Sequence, residues 1–268
     1  MSDGAEKLAD GRMRVRLSGR TYVVAAARAE SAAFWTAAAN GRWEDETFRF
    51  LDAATAAPGA VLVDVGAWIG PVALYASPKV AKVLALEPDP IAHGELNANV
   101  AANAPNVEIW NAAVDSAPGE LKLFVGDGLG NSETSSIGQG EAIIVKTVTF
   151  DDLSKAAGDG RLILKVDIEG HEYRVMDHLI SFAKARRAAV HLSLHPRSFW
   201  NDARKRMGFI GSRRETFEAT WRFIEALSGV GDVVMSSTQE PATKAAIARK
   251  VLWKKRPKNF SVEVRAPR

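Results

Sequence analysis

Val61-Leu-Val-Asp-Val-Gly-Ala-Trp-Ile-Gly70 is the stretch that decides the fold. Its first five residues form a short, almost unbroken apolar run, the pattern of a parallel strand buried on both faces. Gly66 to Gly70 read as a turn, and Pro71 to Ala76 as the start of a helix, with proline well suited to a first helical turn. Residues 80–86 give a second apolar strand, which ends in Glu87-Pro-Asp-Pro90. Strand, glycine turn, helix and strand make one βαβ unit, and such crossovers are right-handed.

The same alternation continues downstream. A helix is expected over 91–103, a strand over 107–113, and extended pieces over 120–125 and 143–148. Then follow a strand at 162–166, a helix at 169–184, a strand at 189–194, a helix at 213–227, a strand at 232–235, a helix at 242–255 and a strand at 260–264. This order predicts an α/β fold with a mostly parallel, seven-stranded Rossmann-like sheet flanked by helices. Upstream, residues 13–24 alternate around Ser18-Gly19 as a hairpin does. Helices over 25–39 and 44–55 follow, the first closed by Asn40-Gly41. Residues 1–57 therefore read as a hairpin and helical extension, and residues 58–268 as the main domain. The Gly/Ser/Thr-rich loop at 126–140 is too long for a plain connector, so a place beside a ligand is expected for it.

Composition sets the outer bounds. A chain of 268 residues with 47% hydrophobic and 25% charged residues suits one good-sized soluble domain with a small extension. The net charge of +3 gives no reason to expect a nucleic-acid partner. The charge is uneven, however: residues 244–268 hold nine Lys or Arg and one acid, Glu263. A solvated face is the ordinary reading of that bias, and an anionic partner the alternative. The absence of cysteine rules out disulfides and thiolate metal sites and fits a reducing cytoplasm. Residues 1–10 do not resemble a signal peptide. No apolar run reaches the roughly 18 residues of a membrane span. A cytoplasmic protein without a membrane span is expected.

Ligands of open α/β sheets bind beyond the carboxyl ends of the strands. A dinucleotide fingerprint, G-x-G-x-x-G, needs a second glycine where the backbone meets a pyrophosphate. Here that position is Trp68, which disfavours a diphosphate and suits a ligand without one. Gly66 would then leave room for the methionine and ribose parts of S-adenosylmethionine (SAM), and Gly70 would allow close helix–strand packing. Glu87, twenty-one residues after Gly66, is placed to accept hydrogen bonds from both hydroxyls of a ribose.

Val63-Asp-Val-Gly-Ala-Trp-Ile-Gly70 resembles the V-D-V-G-A-N-I-G signature of the FkbM family of SAM-dependent methyltransferases, with Trp68 in place of the usual asparagine. Leu86-Glu-Pro-Asp89, Leu96-Asn-Ala-Asn99, Asn111-Ala-Ala-Val114, the Ser/Thr loop at 132–136 and Val148-Thr-Phe-Asp-Asp-Leu153 are similar to further family blocks in the same order. The most distinctive is Leu164-Lys-Val-Asp-Ile-Glu-Gly170, similar to K-I-D-V-E-G-x-E. The likeness covers roughly residues 40–200 and includes Trp43-Glu44. It implies the class I methyltransferase fold and SAM as cofactor. The implied contacts to SAM come from Glu44, Asp64, Gly66, Ala67, Gly70, Glu87, Asn111, Ser135 and Asp167.

The resemblance also places Asp167 and Glu169 beside the transferred methyl group. A hydroxyl acceptor needs a base, and Asp167, His171 and His195 are the candidates. His195, just past a strand, and Asp167 are favoured, with Glu169 as their neighbour. His171 would cap or pair, and His191 would face the core. Asp167 and Glu169 have a plainer alternative as a capping pair of the next helix. Two acids near a histidine also suit a divalent metal, but the family often has glutamate where this chain has Ser193, and no metal is assigned. Phe199 and Trp200 read equally as a stacking surface for an acceptor and as core. The expected activity is O-methylation of a small molecule, sugar or glycan. The rival readings are a catalytically silent SAM-binding module and a nucleotide-dependent oxidoreductase. Methylation of nucleic acid is not expected, because no N-P-P-Y-type motif follows the fourth core strand.

Overall fold

Near the N-terminus lies a small antiparallel sheet of β1 (Ala5–Lys7), β2 (Met13–Leu17) and β3 (Arg20–Val24). It belongs to a computed structural model that describes residues 4–56, 58–125, 128–130 and 134–265. Along β2, Met13, Val15 and Leu17 are buried while Arg14 and Arg16 face outward, as period-two alternation dictates. Two helices follow, α1 (Ala29–Ala39) and α2 (Asp45–Ala54). The main domain then runs β4 (Ala60–Val65), α3 (Pro71–Ala76), β5 (Lys82–Leu86), α4 (Pro90–Asn103), β6 (Val107–Trp110), β7 (Ala113–Val114), β8 (Gly119–Phe124) and β9 (Ala142–Val148). It continues with α5 (Phe150–Ala157), β10 (Arg161–Val166), α6 (Met176–Ala185), β11 (Ala189–Leu194), α7 (Pro196–Leu227), β12 (Asp232–Met235), α8 (Lys244–Val251) and β13 (Phe260–Arg265).

Every residue of β4 is buried, because the strand pairs in parallel with β10 on one side and β5 on the other. The whole sheet has seven strands in the order β12-β13-β11-β10-β4-β5-β6. Only β13 runs antiparallel to its neighbours β11 and β12. This is the Rossmann-like α/β sheet expected from the sequence. β7, β8 and β9 form a separate three-stranded sheet. The chain order reverses at β4, where β5 lies to one side and β10 to the other, so the crevice beyond β4 is the place for a ligand.

Several elements differ from the sequence expectation, each for a local reason. The strand expected over 107–113 divides at Asn111, after which Ala113 and Val114 leave the main sheet to pair with β9. Glu169 and Gly170 take positive φ angles of 51° and 104°, so no α-helix begins there. A short 3-10 turn, His171–Tyr173, precedes α6 instead. α5 was not foreseen, although Thr149 and Asp152 form a reciprocal capping box at its start. α7 begins at Pro196, ahead of the expected 213, and bends at Gly208.

The N-terminal elements share their core with the main domain. Val15, Trp35 and Leu51 belong to the same apolar cluster as Leu62, Leu74 and Leu96. Two asparagines of α4 tie β3 and its exit to that core. Asn103 Oδ1 accepts from the Val23 amide (2.9 Å) and its Nδ2 donates to the Val23 carbonyl (2.7 Å). Asn99, fully buried, accepts from the Ala25 amide (2.5 Å) and donates to the Ile69 carbonyl (2.8 Å). Asn99→Leu keeps the volume but strands two buried backbone groups, at about 1–3 kcal/mol each. Urea unfolding should show a loss of roughly 2–5 kcal/mol; a loss below about 1 kcal/mol would mean these bonds do not anchor the extension.

Candidate active site

The turn after β4 builds the site's floor. Gly66 (φ 80°) and Ala67 both donate their amides to the Leu86 carbonyl, at 3.0 and 2.9 Å, which clamps the turn onto the end of β5. A Cβ on Gly66 would lie 1.9 Å from the Asp167 carbonyl oxygen. The glycine is therefore demanded by the segment after β10 crossing over it, besides lining the cavity where the sequence places a ligand. Gly70, the N-cap of α3, is held to glycine by its φ of 92° and by Leu96 of α4, which would be 2.7 Å from a Cβ. That is the close packing foreseen for it.

Between this turn, β5 and the sheet of β7, β8 and β9 lies a cavity of about 360 Å³. Its walls include Trp43, Glu44, Gly66, Ala67, Trp68, Glu87, Lys165, Asp167, Glu169 and His171. Trp68 (φ 48°) packs edge-on against Phe34, with ring centroids 4.6 Å apart. Its indole donates to the Gly130 carbonyl at 2.9 Å. Arg28 reaches the same carbonyl (2.6 Å), and the Gly130 amide donates to Asp89 (2.7 Å). Trp68 thus pins part of the 126–140 loop beside the cavity, which Thr134 and Ser136 line. Ser132 and Glu133 of that loop lie outside the described residues.

Glu87 occupies the end of β5. Its carboxylate accepts from the amides of Trp68 and Asp89, both at 2.8 Å. Burial raises its pKa to about 7 despite those two bonds. Asn111 is exposed and away from the cavity; its amide donates to the Glu87 carbonyl at 2.8 Å and steadies that corner. Ser135 is likewise behind the wall, donating to the Glu169 carbonyl at 2.6 Å.

Lys165 is a residue that sequence reasoning passed over. It is a buried cation in an otherwise apolar strand, and that mismatch was the available signal. Its Nζ donates to the Gly66 carbonyl (2.8 Å) and pairs with Asp64 at 3.4 Å. Asp64 sits behind it, fully buried, with its pKa raised to about 6 by burial. Burial opposes the lysine charge, yet Asp64, Asp167 and Glu44 together outweigh that, and its pKa is raised. Glu44, held in a left-handed conformation (φ 34°) at the N-cap of α2, has its pKa raised by burial. Its carboxylate accepts from Thr47 at 2.7 Å, and Thr47 in turn meets His191 at 3.1 Å. His191 is core-facing, as expected.

Asp167, Glu169 and His195 converge at the ends of β10 and β11. His195 Nε2 is 3.4 Å from both Asp167 Oδ1 and Glu169 Oε1. On the other side, Glu172 Oε1 accepts from the His195 backbone amide (2.7 Å) and from Nδ1 (3.2 Å). Burial disfavours a charged ring, but Glu172 and Glu169 outweigh it, and the His195 pKa rises well above the usual histidine value. That direction favours the protonated ring. The three groups have ligating atoms within 4.8 Å of one another. Glu172, fully buried, also accepts from the Gly170 amide at 2.8 Å. It fills the last position of the family's K-I-D-V-E-G-x-E block and was not singled out.

Two other expectations are settled by packing. His171 lines the cavity and hydrogen-bonds Ser136 at 2.7 Å. Trp200 is buried core, while Phe199 packs against Tyr173 at 4.8 Å, away from the cavity. Ser193 faces Ser261 at 3.4 Å.

The methyltransferase FkbM domain matches residues 64–227, more than half of the chain. The chain belongs to the FkbM methyltransferase family. No curated protein sequence matches it. Among solved structures it is similar to the methyltransferase FkbM from Methylobacillus flagellatus KT, 17% identical over 50% of this chain and 32% of that one, with a TM-score of 0.36. The chain thus spans about a third of that protein's length. It is also similar to a TehB-like SAM-dependent methyltransferase from Corynebacterium glutamicum, at 12% identity, 88% and 96% coverage and a TM-score of 0.46. TYW2 of P. horikoshii, solved in complex with MeSAdo, is 17% identical over 98% of this chain and 70% of that one, with a TM-score of 0.42. Among the described residues no helix is long and apolar enough to cross a membrane.

Proposed function

We propose that this FkbM-family chain transfers a methyl group from SAM to a hydroxyl of a small molecule, sugar or glycan. The observation that carries the reading is the cavity itself. It runs from Glu87, a ribose-type acceptor, to Asp167 and Glu169, a pair of carboxylates braced by His195. Its volume lies in the usual range of ligand pockets. Two of its lining residues hold buried polar atoms with no hydrogen-bond partner among the described residues, Asp167 Oδ1 and His171 Nε2. Groups left so are expected to meet a ligand.

SAM when bound supplies an electrophilic methyl on a sulfonium. Glu87 would receive the ribose hydroxyls beside Gly66 and Ala67. Lys165 and Glu44 offer one cation and one acid, a match for the carboxylate and ammonium of an amino-acid end. Asp167 and Glu169 would orient the acceptor hydroxyl and take its proton, while His195 holds both acids in place. Positioning is the larger part of such catalysis, worth up to roughly 7–11 kcal/mol.

Titration calorimetry with SAM and with its demethylated product, followed by transfer of labelled methyl to hydroxylated acceptors, tests this reading. Failure to bind either ligand would end it. A sharper expectation concerns Glu87. Only its ionised form accepts bonds from both hydroxyls, so affinity for the demethylated product should weaken as pH falls through about 7. Glu87→Gln should weaken binding roughly 10–100-fold and remove that pH dependence. A wild-type affinity that stays flat between acid and alkaline pH would contradict the role given to Glu87.

A further inference from the structure

Away from the residues that line the cavity, α7 and the stretch just past α8 meet through one arginine. Arg213, on α7, donates to the carbonyls of Leu252 (2.7 Å) and Lys255 (2.6 Å), just past α8. Its guanidinium also lies 4.8 Å from the Phe209 ring. Around this clamp stand large apolar side chains in solvent: Ile210 is 83% exposed, Trp253 73%, Phe209 51% and Met207 47%. Gly208 (φ 72°) breaks the helix between Met207 and Phe209. Exposed apolar groups gathered in this way mark a contact surface.

Charge says what kind. Residues 197–214 and 244–258 together carry thirteen Lys and Arg and one acid, Asp202. Twelve net positive charges thus sit in these two segments of a chain whose total is +3, leaving −9 for everything else. The basic bias near the C-terminus, left open by the sequence, is therefore half of a patch whose other half is the bend in α7.

We propose that this patch docks on the surface of an anionic lipid bilayer. Lys and Arg would meet the headgroups, Trp253 would lie at the interface where tryptophan is favoured, and Ile210 and Phe209 would enter the acyl boundary. Ile210 decides against a nucleic acid or an acidic protein segment. An aliphatic side chain neither stacks on bases as an aromatic ring does nor pairs with a carboxylate, whereas it gains by leaving water for lipid. None of these residues lines the cavity, so the patch and the proposed methyl transfer stand or fall separately.

Co-sedimentation of the full chain with vesicles tests the proposal. Phosphatidylcholine mixed with phosphatidylglycerol should bind it at about 0.1 M salt, and binding should fade towards 1 M as the screening length shrinks to roughly 3 Å. Phosphatidylcholine alone should not bind. Ile210→Glu with Trp253→Ala should lower the partition at least tenfold, and Lys254→Ala or Arg256→Ala roughly fivefold each. These side chains are exposed, so thermal unfolding and SAM affinity should be unchanged in the variants. No association with the anionic vesicles would overturn the proposal. So would association undiminished in the apolar double variant, or displacement of the vesicles by equimolar single-stranded RNA, either of which marks a simple polyanion site.

Discussion

Asp167→Asn is expected to lower turnover by about 10²–10⁴-fold while changing affinity for SAM far less. The substitution keeps the shape of the side chain and removes only its charge and basicity. Asp167 closes β10, its amide bonded to the Val65 carbonyl at 2.9 Å, so its position is fixed by the same backbone that frames the glycine turn. Its Oδ1 is buried without a hydrogen-bond partner among the described residues, and the His195 ring lies 3.4 Å from it. An acceptor hydroxyl entering the cavity would supply the missing donor and lose its proton along that bond. Single-turnover rates with labelled SAM, compared with calorimetric affinities, separate the two effects. Turnover within tenfold of wild type would shift the base to Glu169.

How much of this was legible beforehand depends on which interactions are local. The alternation of apolar runs and glycine turns is local, so the parallel sheet, the turn after β4 and the acid ending β5 could all be read. Trp68, in the place of a fingerprint glycine, could be read as unfavourable to a diphosphate. Its bond to Gly130, 62 residues away, could not. Gly66 could be recognised for its position, but not the Asp167 carbonyl, a hundred residues on, that excludes a Cβ there. Asn111 and Ser135 carried the right motif, yet they bond the backbone of Glu87 and Glu169 rather than face the cavity. His195 shows the limit most clearly. Its place past a strand could be read, but not the three carboxylates, from residues 167 to 172, that the left-handed pair Glu169-Gly170 gathers around it.

That cluster yields the second large effect. Glu172→Ala should destabilise the protein by about 3–5 kcal/mol, since it takes from the buried His195 ring its closest carboxylate, at 3.2 Å. It also strands the Gly170 and His195 amides that the carboxylate now accepts from. Glu172→Gln keeps the volume and an oxygen for one of those two amides while removing the charge, so it should cost less than alanine and report on titration as well. The folded-state pKa of His195 is raised above its usual ~6.5, so the stability it brings is complete below that value. It should then decline as pH rises through the folded-state pKa. Wild-type stability, followed by urea unfolding across the alkaline range, should therefore fall with pH. In Glu172→Gln the decline should begin at lower pH, because the principal charge holding the proton is gone. Identical pH profiles for the two proteins would mean the ring is already neutral. His195 would then return as the base, with Asp167 and Glu169 reduced to orienting it.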